Sequence, residues 1–109
     1  MFKIIRELLG AFWDLLQKFF VAVCNFAKNV RAYFMDVARR ALLDDEKRRV
    51  LAVSIKEKLD TGDYQLVHCL FDQDENTVVD AQDMEVVTAS ELDSETQRQF
   101  GDDDMLILN

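Results

Sequence analysis

The chain has no proline and only three glycines. Without proline nothing forces a helix to stop, so long uninterrupted elements are allowed. Three glycines cannot furnish a glycine-rich phosphate cradle. His68 is the one histidine, mid-way through an apolar run, and it reads as a structural residue. No metal set or nucleophile-activating pair can be assembled around it, and no Ser-His-Asp, Cys-His or H-E-x-x-H grouping exists. The two cysteines, Cys24 and Cys69, sit in apolar settings without a C-x-x-C spacing. They read as buried reduced thiols, with a reducing cytoplasm as the expected compartment. These absences argue against an enzyme: no catalytic residue, metal ligand or cofactor is expected.

Targeting signals are also missing. Arg6, Glu7 and Asp14 interrupt any signal-peptide core, and no small-residue cleavage site follows. The most apolar window, Leu8 to Ala27, still holds Asp14, Gln17, Lys18 and Asn25. A central Asp or Lys costs about 2.5–3.5 kcal/mol on insertion, so a spanning helix is not expected.

What is present is apolar surface and an uneven charge. Half of the 109 residues are apolar and 31% are charged, the balance of a folded protein. Residues 1–43 carry seven Lys/Arg against three acids, whereas residues 44–109 carry six against eighteen, so a +4 segment precedes a −12 segment. Two domains follow as an expectation: an apolar, basic element over 1–43 that packs or oligomerises, and a small acidic α+β domain over 44–109.

Between Phe2 and Leu43 the residues Ile5, Leu9, Phe12, Leu16, Phe19, Val23, Phe26, Val30, Tyr33 and Val37 alternate four and three apart. A 3.5-residue spacing is that of a helix supercoiled against a partner, so a long N-terminal amphipathic helix in a coiled coil is expected. Apolar residues beside this seam, Trp13, Phe20 and Phe34 among them, make the apolar face wider than a two-stranded coil needs. Unbroken, the helix would run roughly 60 Å, against a radius of gyration of about 13 Å for a domain of this size. Either it breaks, near 25–29 or at Gly10, or copies of the chain associate through it.

Beyond the helix, Asp44-Asp45-Glu46 suits a helix start, and Val50, Leu51, Ile55 and Leu59 suggest a short second helix over 45–59. Gly62 supplies a left-handed stop. Tyr64 to Phe71 is apolar on both faces, the pattern of a central strand. A turn over 72–76 leads to a hairpin arm at 77–80, and Met84 to Thr88 continues the sheet. A short helix capped by Ser90 or Ser94 runs to Phe100 and is closed by Gly101, and Met105 to Leu108 forms a terminal strand. The expected fold class is thus α+β: a long helix, a short helix, then a small, mainly antiparallel sheet with one short helix. The acidic runs 72–75 and 102–104 lack the offsets of a calcium loop and read as solvated turns.

The function expected from this pattern is a non-enzymatic assembly module, a helix-mediated homo-oligomer presenting an acidic small domain. That profile suits a small bacterial or phage accessory protein, although no motif identifies a family. Two alternatives stand beside it. One is a peripheral membrane protein held by the basic helix. The other is an acidic inhibitor that mimics nucleic acid and offers Asp102, Asp103 and Asp104 to a basic groove on a partner protein. Direct nucleic-acid binding is not expected, since the acidic part repels phosphate.

Overall fold

The structure, a computed structural model, describes residues 7, 10, 17–38, 50–79 and 84–108. They form a six-stranded sheet from β1 (Gln17–Cys24), β2 (Val50–Lys58), β3 (Tyr64–Asp72), β4 (Thr77–Val79), β5 (Glu85–Leu92) and β6 (Met105–Ile107). The main path runs β1-β5-β3-β2-β6, with β4 also paired to β3. β1 runs parallel to β5, and every other pairing is antiparallel.

Among the described residues helical backbone covers Glu7, Gly10, 26–38 and 94–100. Two π-helical turns, α1 (Phe26–Arg31) and α2 (Phe34–Ala38), follow β1, and α3 (Ser94–Phe100) follows β5. The expected long N-terminal helix is therefore corrected, and with it the coiled-coil and amphipathic-helix expectations. From Gln17 to Cys24 the backbone is a strand whose partner is β5. The physical reason lies in Phe19-Phe20-Val21-Ala22-Val23-Cys24, where aromatic and β-branched residues favour a pleated surface. In a stretch apolar at every position a 3.5-residue spacing can be found without being the one the backbone uses. Asn25 does mark a boundary, between strand and helix: its side chain accepts from Lys28 N–H as an N-cap. The second helix over 45–59 is corrected too, because Val50–Lys58 is a strand between β3 and β6. Among the described residues strands therefore outweigh helices.

Further along the chain the central strand and the turn after it are as expected, whereas Gly62 sits in the turn between β2 and β3 and does not end a helix. β3 is buried from Leu66 to Asp72, so both of its faces are covered. Gly62 takes φ 93, the left-handed conformation that suits glycine. Asp72 Oδ1 accepts from the N–H groups of Asp74 and Glu75 at 2.9 and 3.2 Å, and Asn76 takes φ 53 to complete the turn into β4. The cap of α3 is Asp93 rather than Ser90 or Ser94, with Ser94 as the first helical residue and Gly101 as the C-cap.

The core has two sides. One cluster joins Val53, Ile55, Val67, Cys69, Phe71, Val78, Met84 and Val86. On the other face, Val30 of α1 packs with Cys24, Leu66, Val87, Ala89, Leu92 and Phe100. Tyr33, between α1 and α2, packs with Val50, Ala52 and Leu70. Burying a side chain of this size contributes about 1.5–3 kcal/mol, so these helical turns are held by tertiary packing rather than by their own propensity.

Candidate functional site

β1 is an edge strand: among the described residues its only strand partner is β5. An edge exposes a row of unpaired backbone donors and acceptors, which proteins usually blunt with charge, proline or a bulge. Here the edge carries one charge, Lys18 near its start, and is apolar beyond it. Phe20 is 79% exposed, Phe19 44% and Val23 45%. From Phe19 to Cys24 there is no charge, proline or glycine. A hollow of about 300 Å³ adjoins the strand, with Phe19, Phe20 and Val21 on one wall and Lys28, Ala32 and Tyr33 on the other.

The strand and the helical turns beside it are held in place by two polar hubs. The first is Asp93. Its carboxylate accepts from Thr96 N–H at 2.8 Å, from the Thr96 hydroxyl, and through Oδ2 from Phe26 N–H at 3.1 Å. Asp93 N–H in turn donates to Cys24 C=O at 2.9 Å. The Thr96 hydroxyl and then the Thr96 N–H, with a smaller contribution from Phe26 N–H, hold this carboxyl below the usual carboxylate range. One residue thus ties the end of β1 and the start of α1 to α3.

The second hub is His68, fully buried on β3. Its Nε2 lies 2.6 Å from Asn29 C=O and its Nδ1 3.0 Å from Ser54 Oγ. A carbonyl can only accept, so Nε2 carries the hydrogen and Nδ1 accepts from the serine hydroxyl. Burial pushes the imidazole down to about 4, against which the Asn29 carbonyl gives partial relief. The ring of Tyr33 lies 5.3 Å away, tilted by 34°. With no accessible surface and both nitrogens engaged, His68 serves as a structural clamp.

Both cysteines are free and buried, and burial raises Cys24 to about 11 and Cys69 to about 12. Thiols this basic are poor nucleophiles. No helix among the described residues is long and apolar enough to cross a membrane.

The residues of the expected seam are dispersed. Ile5, Leu9, Phe12 and Leu16 lie outside the described residues. Phe19 and Val23 sit on the β1 edge, Phe26 is half-buried in α1, Val30 and Tyr33 are core residues, and Val37 falls in α2. Asp102, Asp103 and Asp104 are exposed on the loop leading into β6. Phe20, beside the seam and not part of it, is the most exposed of the large apolar residues described. The signal that could have found it is the uncharged run Phe19–Cys24, rich in aromatic and β-branched residues. Compared with known proteins, the chain matches no family model, no curated protein and no solved structure.

Proposed function

We propose that this protein is a non-enzymatic interaction module that assembles with a second copy of itself along β1. The observation that carries the reading is the exposure of Phe20, 79%, on an edge strand with no charge from Phe19 to Cys24. Large apolar side chains grouped on a protein surface mark interaction sites. Past Lys18 the strand is uncharged and of high β-propensity, and such a run is complementary to its own copy. Two copies related by a two-fold axis set β1 antiparallel to β1 of the partner, so the outward backbone groups of the two strands meet and one sheet runs through both subunits. The hollow beside Phe19 gives room for an apolar side chain from the other copy. The association element is therefore this strand edge, in place of a helical seam.

Sedimentation velocity tests the proposal. The full chain is expected to be dimeric at tens of micromolar, and Phe20→Lys to be monomeric with an unchanged far-ultraviolet spectrum. A monomeric wild type at that concentration, or a variant that dimerises as well as the wild type, refutes it.

A further inference from the structure

The opposite end of the strand order is β6. β6 pairs with β2 on one side, and among the described residues no strand lies on its other side. Hydrogen bonds show which way its backbone points. Lys56 N–H donates to Asp104 C=O, Leu108 N–H donates to Ala52 C=O, and Leu106 stands opposite Ser54 between them. Along an antiparallel strand successive residues point their polar groups to opposite sides. The N–H and C=O groups of Met105 and Ile107 therefore face outward, and the Ile107 side chain is 45% exposed.

Beside this edge lies a groove of about 580 Å³, with Phe26, Phe34, Leu106 and Leu108 as its apolar surface. Met35, 43% exposed, stands on its rim. Asp93 and Glu95 belong to its wall, and hydrogen bonds hold both carboxyls below the usual range. Arg31, also in the wall, and Arg98, paired with Glu95, offset those two charges. The exposed carboxylates of Asp102, Asp103 and Asp104, which run directly into β6, leave the surroundings negative.

We infer that the β6 edge and its groove receive an extended segment of a partner protein, apolar at alternate positions, with Lys or Arg at the end beside Asp102–Asp104. Outward backbone groups are satisfied by an added strand, whose alternate side chains then enter the groove. A helix laid there would leave those groups unmet. The acidic flank favours a cationic segment over nucleic acid or an anionic membrane.

The probe is a fluorescein-labelled synthetic peptide, Lys-Lys-Val-Thr-Val-Thr-Val-Thr, titrated with the full chain at low salt and followed by anisotropy. Saturable binding is expected, with amide exchange slowed at Met105 and Ile107. Ile107→Pro removes an outward donor without touching the bonds to β2, and edge strands tolerate it. It should weaken binding roughly tenfold. Asp102→Asn, Asp103→Asn and Asp104→Asn combined, a surface change that leaves the fold alone, should weaken it about fivefold and flatten its salt dependence. Glu75→Gln, on the exposed turn between β3 and β4, should bind as the wild type does. Absence of saturable binding overturns the inference. So does binding indifferent to both the proline and the asparagine variants, or protection that appears in β1 instead.

Discussion

His68 Nε2 donates to the carbonyl of Asn29, 39 residues earlier, across 2.6 Å. That bond joins the middle of the sheet to the middle of a π-helical turn, and it can form only while the imidazole stays buried. The buried nitrogens have no water to fall back on, so the contact dictates where α1 sits on the sheet. An unmatched buried polar group costs about 1–3 kcal/mol, more than one surface contact returns.

Stability should fall with acid through this residue. Folded His68 titrates at about 4, and its ordinary value is 6.5. Between those values the unfolded chain takes up the proton and the folded chain does not, so stability is intact above pH 6.5 and declines as pH drops to 4. The loss attributable to His68 is about 3 kcal/mol. Urea unfolding at several pH values, compared with His68→Gln, reads this out. The variant should show a flatter decline over that window, and an equal decline in both proteins would contradict the clamp.

Two phenylalanines of the same chemistry should behave oppositely. Phe100 is 2% exposed and Phe20 79%. Phe100→Ala should lower unfolding free energy by about 3–5 kcal/mol. Phe20→Lys should change subunit stability by no more than about 0.5 kcal/mol. Denaturant titration at a concentration low enough to keep the wild type monomeric separates this from any loss of assembly.

Neither thiol should react readily in the folded protein. With Cys24 at about 11 and Cys69 at about 12, the thiolate fraction at pH 8 is on the order of a thousandth or less. Treatment with dithionitrobenzoate should release little colour until urea is added, after which both cysteines react. Fast modification of either one in the native state would show that its burial is not maintained.

Asp93 can be divided into its two roles. Asp93→Ser keeps one oxygen for the Thr96 N–H and so keeps the cap of α3, but has none left for Phe26 N–H. Amide exchange at Phe26 should quicken while α3 stays protected. Asp93→Ala should expose both and lower the melting temperature further. If serine and alanine behave alike, the bond to Phe26 contributes nothing separable.

The β1 edge was not legible in the sequence, where its residues read as part of a helix. Phe19 and Val23 stand four apart, and four is compatible both with a helical stripe and with one face of a strand. Spacing does not decide between the two; the ladder that β1 forms with β5 does. The β6 strand was visible as a terminal strand, and Asp102–Asp104 as an acidic loop before it. The groove between them was not visible, since Phe26 and Phe34 lie far along the chain from Leu106 and Leu108.

What the sequence determined by itself is the punctuation and the central strand. Gly62 at positive φ, the Asp72 turn, the Gly101 stop and the doubly apolar run of β3 each depend on residues within a few positions of one another. Only the tertiary structure decided the states of Gln17–Cys24 and Val50–Lys58. Both runs are apolar enough to satisfy either periodicity, and each became a strand because β5, or β3 and β6, offered its backbone a ladder. Local preference there is worth about 1 kcal/mol or less per residue, and a ladder partner with a core face to cover outweighs it.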